Sequence, residues 1–161
     1  MKFGLILYFI WNYYKWYYTP VNNLYFNPLS IIFSKEKIEN HVYAVDFDNT
    51  ICYTDYPKII KPLPYAMEVL RILSNNPYSI LILNTCREGK ELEDAVRYCE
   101  TFGVKFDYIN ENAKERIEIY KTNPRKIGAD VYIDDRSYEG INGVETLWKN
   151  WWDWMKENGY N

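Results

Sequence analysis

The fold is decided by residues 42–50, which read VYAVDFDNT. The first four side chains are apolar, and a short apolar run of this kind is typical of a buried strand. Asp46 and Asp48 follow at a spacing of two, so they would share one side of the strand if its geometry continued. At the strand end the chain turns, and one of the two carboxylates can then point into a cleft.

Two acids at this spacing need a partner. Their negative charges repel each other, and unpaired carboxylates beside an apolar strand are unfavourable. A hard divalent cation such as Mg2+ prefers oxygen ligands and would stabilise both acids. The alternative interpretation is that Asp46 and Asp48 only cap the following turn.

Two further apolar runs end in the same manner. Residues 79–84 lead into Thr85, and residues 129–133 lead into Asp134 and Asp135. In open α/β sheets the ligand site lies outside the carboxyl ends of the strands. Three strands that finish in polar residues therefore predict one site at that edge of the sheet.

The rest of the pattern alternates strands with helices. Apolar residues recur at helical spacing over 65–73 and 92–102, and a helix is also expected over 113–120. Residues 104–110 are typical of a further strand, so the order predicts an α/β domain with a mainly parallel sheet and helices on both faces. Residues 51–64 contain three prolines and are expected to form an irregular loop, a candidate mobile flap. No interval leaves room for an independent cap domain.

Together these motifs resemble those of the haloacid dehalogenase (HAD) superfamily of phosphotransferases over residues 41–150. The D-x-D-x-T box falls on residues 46–50, and the apolar strand that ends in Thr or Ser falls on Thr85. The lysine of the third motif is best matched by Lys126, and the acidic pair of the fourth by residues 134–135. The phrases NTCREG and ADVYIDDR are similar to a branch of small, capless bacterial and phage members.

One position departs from the pattern of the superfamily. Asn49 stands where many relatives carry glycine. Asn is among the residues that best tolerate a positive φ, so the turn is expected to keep its shape.

The resemblance implies a three-layer, Rossmann-like (HAD-like) fold without a cap domain and Mg2+-dependent hydrolysis of a phosphomonoester. Asp46 would attack the phosphorus and form an aspartyl-phosphate, a known form of covalent catalysis. Asp48 would protonate the departing oxygen and then accept a proton from the hydrolytic water. Thr85 and Lys126 would bind the phosphoryl group.

The implied ligands of Mg2+ are Asp46, the backbone carbonyl of Asp48, and the pair Asp134 and Asp135. Asp135 is preferred as the direct ligand, with Asp134 in or near the coordination sphere. Which member of the pair binds the metal directly stays open.

Two assignments of positive charge also stay open. Lys126 is preferred over its neighbour Arg125 as the cation at the phosphoryl group. Arg87 would either assist the anion, together with backbone N–H groups, or form a surface ion pair.

Composition sets the broad class of the protein. A length of 161 residues suits one domain with a sizeable core. The 19 basic and 22 acidic residues give a net charge of -3, which argues against general nucleic-acid binding. Three cysteines without metal-like spacing favour reduced thiols in the cytoplasm. His41, the single histidine, precedes the first strand and has no partner that suggests catalysis, and with no other histidine a Ser-His-Asp or Cys-His mechanism is excluded.

Residues 1–40 form an aromatic-rich extension ahead of the catalytic domain, residues 41–161. They hold twelve of the 30 aromatic residues of the chain. The apolar run from Phe3 to Trp11 is too short to span a bilayer, and no small-residue cleavage site follows it. Packing on the domain or on a partner, or partial disorder, is preferred over contact with a membrane.

Two other classes of function are weighed against the phosphatase. One is a catalytically silent HAD-like module that binds phosphate or metal without turnover, although every expected catalytic position is filled. The other is a structural or membrane-associated protein whose main role lies in residues 1–40. Within the enzyme class, the sequence predicts a phosphorylated substrate without identifying it.

Overall fold

The computed structural model describes residues 41–137 and 140–160. The predictions for residues 1–40, including packing on the domain and contact with a membrane, lie outside the described residues. In the described ranges, no helix combines the length and apolarity needed to cross a membrane.

The described residues form six strands and four helices. The strands are β1 (His41–Val45), β2 (Cys52–Asp55), β3 (Lys58–Pro62), β4 (Ser79–Leu83), β5 (Tyr108–Ile109) and β6 (Val131–Ile133). The helices are α1 (Ala66–Ser74), α2 (Gly89–Glu100), α3 (Lys114–Tyr120) and α4 (Gly140–Glu157).

Four of the strands form a parallel sheet in the order β5-β4-β1-β6. Val45 of β1 is in register with Leu83 of β4 on one side and with Ile133 of β6 on the other. The carboxyl ends of these three strands therefore meet at one edge. The predicted α/β class with a mainly parallel sheet is confirmed, and the architecture is compatible with a Rossmann-like fold.

The two faces of the sheet are covered unequally. Alternate side chains of a strand point to opposite faces, so Tyr43 and Val45 join one core while Val42 joins another. The larger core includes buried residues of α1, α2 and α4. The smaller core has four buried members, which are Val42, Ile80, Ile82 and Ala113. Helix α3 follows Ala113 directly and contributes no fully buried residue of its own.

The structure replaces the irregular loop expected over residues 51–64 with a β-hairpin. Strands β2 and β3 pair antiparallel, and the flanking Ile51 and Leu63 are buried and joined by a backbone hydrogen bond of 2.8 Å. The prolines suggested a break in regular structure, but Pro57 lies in the turn and Pro62 at the end of β3, where proline is tolerated. Tyr53 of the hairpin also donates its hydroxyl to Glu145 of α4.

Helix α4 packs two of its tryptophans into the larger core. Trp148 and Trp151 are buried, with ring centres 6.0 Å apart at an interplanar angle of 89°. Trp152 and Trp154 are partly buried. The buried face of α4 therefore fixes this last helix on the larger core.

Candidate functional site

Three carboxylates converge at the carboxyl edge of the sheet. Asp46 follows β1, while Asp134 and Asp135 follow the neighbouring β6, and one oxygen from each lies within 4.8 Å of the others. The N–H of Asp46 donates to the carbonyl of Ile133 at 2.9 Å, which continues the pairing of the two strands to this point. We refer to Asp46, Asp134 and Asp135 as the acidic cluster.

Thr50 ties the two halves of the acidic cluster together. Its hydroxyl donates to the carboxylate of Asp46 at 3.4 Å and accepts the N–H of Asp135 at 2.9 Å. The side chain is fully buried, and the carbonyl of Thr50 accepts the indole N–H of Trp148 at 2.8 Å. This hydrogen bond joins residues 98 positions apart in the chain, so no local sequence pattern predicts it.

The turn between Asp46 and Thr50 has the expected shape. Asn49 has a φ of 55°, the left-handed conformation that Asn tolerates. Its side-chain oxygen accepts the N–H of Thr54 at 3.4 Å, which adds a local contact to the hairpin. The expectation for Asn49 is therefore confirmed.

Burial and the neighbouring acids change the acidity of Asp46. Its pKa is raised to about 7, with burial as the largest cause and with smaller contributions from the charges of Asp134, Asp48 and Asp135. A hydrogen bond from the backbone of Phe47 acts in the opposite direction. The cluster without a cation therefore holds mutually repelling carboxyl groups, which a bound cation would stabilise in their charged forms.

Asp135 responds in the same way. Burial raises its pKa above the ordinary value, the nearby Arg136 lowers it, and the charges of Asp134 and Asp48 raise it. The carboxylate of Asp134 accepts the N–H of Arg136 at 2.8 Å through one of its oxygens. Its other oxygen is available to a ligand.

The donor set of the acidic cluster fits Mg2+. All three donors are hard carboxylate oxygens on adjacent strand ends. Ligands about 2.1 Å from an octahedral Mg2+ lie about 3 to 4 Å from one another, so the spacing of the cluster requires only a small contraction. Asp46, Asp134 and Asp135 are thus the predicted ligands that the structure brings together.

Asp48 has a different partner. Its two carboxylate oxygens accept Nε–H and Nη2–H of Arg87 at 2.9 and 2.7 Å. The side chain of Asp48 is therefore not a member of the acidic cluster. The resemblance implied its backbone carbonyl as the metal ligand, and that assignment stays a prediction.

Arg87 is an ion-pair residue, but not a surface one. Its side chain is 1% exposed, and it also donates to the carbonyl of Pro57 at 3.0 Å. The guanidinium carbon lies 4.8 Å from the ring centre of Phe47 and 5.3 Å from that of Tyr56. The hairpin covers the guanidinium, which the sequence did not reveal because residues 51–64 were expected to be irregular. The predicted role of Arg87 in substrate binding stays a prediction.

Thr85 lies at the same edge of the sheet, beyond β4. The adjacent Asn84 donates its N–H to the carbonyl of Val45 at 2.9 Å, so the end of β4 runs beside the end of β1. The N–H of Thr85 donates to Asn110 at 2.8 Å, and its hydroxyl oxygen accepts the N–H of Arg87 at 3.3 Å. The hydroxyl proton can still be donated to a ligand.

The structure does not bring Lys126 to the acidic cluster. Lys126 is exposed and precedes β6, whereas Asp134 and Asp135 follow that strand. Its ammonium lies 5.3 Å from the ring centre of Tyr132. Arg125 is also exposed and also precedes β6. The identity of the phosphate-binding cation therefore stays a prediction.

Comparison with known proteins identifies a solved structure that is similar to this chain. No protein-family model matches the chain, and the curated proteins include no match. The solved structure of the conserved protein coded by a locus from Bacteroides thetaiotaomicron is similar, with 32% sequence identity and a TM-score of 0.58. The similarity covers 76% of this chain and 94% of the Bacteroides chain. The chain belongs to the family of that conserved protein.

In this member of the family, a cavity of about 260 Å³ lies beside the acidic cluster. It is bordered by Asp134, Ile133 and the start of α4, including Gly143 and Val144. Asp134 is the member of the acidic cluster that borders this cavity.

A larger cavity of about 460 Å³ lies at the opposite end of the sheet. It is lined in part by Asp130, whose carboxylate accepts the N–H of Val42 at the start of β1 at 2.8 Å. Its wall also includes Asn112, whose amide donates to Asn123 and Pro124 and accepts the N–H of Gly128. These hydrogen bonds hold the loop before β6, so we assign Asn112 a structural role.

Proposed function

We propose that this protein is a Mg2+-dependent phosphomonoester hydrolase of the haloacid dehalogenase type. The observation that carries the proposal is the convergence of Asp46 with Asp134 and Asp135 at the carboxyl edge of a parallel sheet. Asp48, two residues from Asp46, is held outside that cluster by Arg87. The two acids of the motif thus have separate surroundings, as separate chemical roles require.

The order of elements is consistent with a capless branch of that superfamily. Between β1 and β4 the chain forms only the β2–β3 hairpin and α1, and between β4 and β6 it forms α2, β5 and α3. The exclusion of water would then depend on the substrate and on the hairpin.

Mg2+ bound by Asp46, Asp134 and Asp135 would supply positive charge to the phosphoryl oxygens, so that the anionic nucleophile can approach the anionic substrate. The chain's own contribution begins with Thr50, whose hydroxyl holds the carboxylate of Asp46 in place. The hydroxyl of Thr85 would donate a hydrogen bond to a phosphoryl oxygen. The additional cation is Lys126 or Arg125 in this proposal, and reaching the phosphoryl group would require movement of the loop before β6.

The first chemical step is attack by a carboxylate oxygen of Asp46 on phosphorus. The bond from phosphorus to the leaving oxygen breaks, and that oxygen takes the bonding electron pair and a proton from Asp48. In the second step a water molecule attacks the phosphorus of the aspartyl-phosphate and gives a proton to Asp48. The bond between phosphorus and Asp46 breaks, which releases inorganic phosphate and restores both carboxyl groups.

The proposal is tested with purified protein, Mg2+ and a panel of phosphomonoesters. Wild type should release phosphate, and Asp46→Asn should reduce kcat by at least about 1,000-fold because the nucleophile is lost. Asp94→Asn, which changes an exposed carboxylate on α2, is the matched control and should keep full activity. Radioactive phosphate from a labelled substrate should remain on acid-quenched wild type and be absent from Asp46→Asn. Full activity of Asp46→Asn would refute the proposal, and binding of Mg2+ without turnover of any ester would favour a silent binding module.

A further inference from the structure

We infer that Arg87 is a positioning residue that holds Asp48 for proton transfer and couples it to the β2–β3 hairpin. The inference rests on the proposed function, because it concerns the acid that would protonate the leaving group. It goes beyond the sequence assignment of Arg87, which was substrate binding or a surface ion pair.

The burial of Arg87 requires partners for its N–H groups and for its charge. A guanidinium that is 1% exposed has lost its water, so its N–H groups need acceptors and its charge needs stabilisation. Asp48 accepts two of the hydrogen bonds and supplies an anion whenever it is ionised, and the carbonyl of Pro57 supplies a further acceptor. The rings of Phe47 and Tyr56 stabilise the guanidinium charge while Asp48 carries the proton that it donates.

The geometry of this pair controls the orientation of Asp48. Two parallel hydrogen bonds from a planar guanidinium set both the position and the plane of the carboxyl group. A lysine ammonium at the same place could keep the charge but could not fix that plane. A proton on one oxygen of Asp48 leaves the other oxygen free to keep its hydrogen bond to Arg87.

The same guanidinium reaches the hairpin. It bonds the carbonyl of Pro57 and lies 5.3 Å from the ring centre of Tyr56, which is itself 64% exposed. Because Asp48 must reach the leaving oxygen, the turn at Tyr56 and Pro57 lies next to the place where the leaving group departs. Contact of the leaving group with this turn would therefore affect the position of Asp48 through Arg87, which bonds both.

The test compares leaving groups that differ in their need for a proton. A 4-nitrophenolate departs without protonation, whereas the alkoxide of an alkyl phosphate requires it. Arg87→Lys should reduce kcat/KM for ethyl phosphate by about 100-fold, and for 4-nitrophenyl phosphate by less than about tenfold, since general acid catalysis contributes at least about 100-fold. A merely structural role would lower both values by the same factor, and that result would overturn the inference.

Three controls accompany this comparison. Asp48→Asn should produce the same selective loss, and Arg87→Lys added to it should lower kcat/KM for ethyl phosphate little further, because the two residues act as a unit. Arg97→Lys, at an exposed position on α2, should leave kcat/KM unchanged for both substrates. The affinity for Mg2+, measured by calorimetry, should stay within about twofold in Arg87→Lys, because Arg87 contacts Asp48 rather than the acidic cluster.

If Arg87→Lys does not fold, Tyr56→Ala provides the decisive variant. It removes an exposed ring beside the guanidinium and leaves the ion pair intact. It should lower kcat/KM for ethyl phosphate by about threefold to fivefold and leave 4-nitrophenyl phosphate unchanged, since a cation–π contact is worth roughly that factor. If Tyr56→Ala changed kcat/KM by the same factor for both substrates, relative to wild type, the coupling to the hairpin would be overturned.

The failure of this inference can be distinguished from failure of the proposed function. If wild type hydrolyses neither ester, or if Asp46→Asn remains active, the proposed function itself is wrong. If wild type is active, Asp46→Asn is inactive and the Arg87 variant loses both esters equally, only the positioning role of Arg87 is refuted.

Discussion

Replacing Asp46 with Asn should make the metal-free protein more stable, and the gain should grow with pH. In the folded protein, burial raises the pKa of Asp46 to about 7 from an ordinary value of 3.8. A carboxyl group with a raised pKa destabilises the fold once it must ionise. The cost is absent below about pH 4, increases as the pH rises toward 7, and is complete above that value. Asn carries no charge at any of these values and avoids the cost.

The size of the effect follows from the same pKa. The difference between 3.8 and about 7 corresponds to an upper limit of about 4 kcal/mol in the free energy of unfolding at pH 8. Asp46 is partly exposed, so solvent reduces this to about 1–2 kcal/mol. For a domain of this size, that gain raises the Tm by about 3–10 °C. The hydrogen bond from Thr50 can be kept, since the Asn side-chain oxygen also accepts.

Thermal unfolding followed by circular dichroism, in EDTA and at low ionic strength, measures this gain between pH 4 and pH 8. Asp46→Asn should match wild type closely at pH 4 and exceed its Tm at pH 8. Added Mg2+ should reduce or reverse the difference at pH 8, because only wild type keeps the full set of ligands. Asp94→Asn is the matched control: the hydrogen bond from Lys90 lowers the pKa of Asp94, so its removal should bring no gain at pH 8. A Tm of Asp46→Asn at or below that of wild type at pH 8 would refute the reasoning.

Three further predictions concern the contacts around the acidic cluster. Thr50→Val should weaken Mg2+ binding by about tenfold in calorimetry, because a group that orients a metal ligand is lost. Thr50→Ser keeps the hydroxyl and should retain most of the wild-type affinity. Equal affinities for both variants would contradict the role of the hydroxyl. Trp148→Phe should lower the free energy of unfolding by about 2–3 kcal/mol in urea titrations, because the buried carbonyl of Thr50 loses its donor and the core loses volume. A change below about 0.5 kcal/mol would show that the indole hydrogen bond contributes little. The affinity of wild type for Mg2+ should fall as the pH is lowered from 8 to 6, since Asp46 must lose its proton to bind the ion and burial raises its pKa to about 7; a pH-independent affinity would argue against Asp46 as a ligand.

The strands that position the cluster could be predicted from the sequence. Each is a short apolar run that ends in polar residues, and parallel strands place their carboxyl ends at one edge. The meeting of Asp46 with Asp134 and Asp135 follows from this rule, although the residues are nearly ninety positions apart in the chain. Local pattern and sheet geometry were sufficient here, because no side-chain detail was needed.

The surroundings of Arg87 could not be predicted in this way. Its burial depends on Phe47, on the ring of Tyr56 and on the carbonyl of Pro57, which belong to another part of the chain. Charged residues are exposed as a rule, and three prolines argued against a hairpin, so both local signals pointed away from the observed contacts. The pairing of Arg87 with Asp48 is a product of tertiary packing.

The lengths of the outer strands have a consequence for how this protein behaves in concentrated solution. The sheet is bounded by β5, of two residues, and by β6, of three. So short a border offers few unpaired amide and carbonyl groups to a strand from a neighbouring molecule. Such borders therefore disfavour pairing of this four-stranded sheet with a strand from a neighbouring molecule.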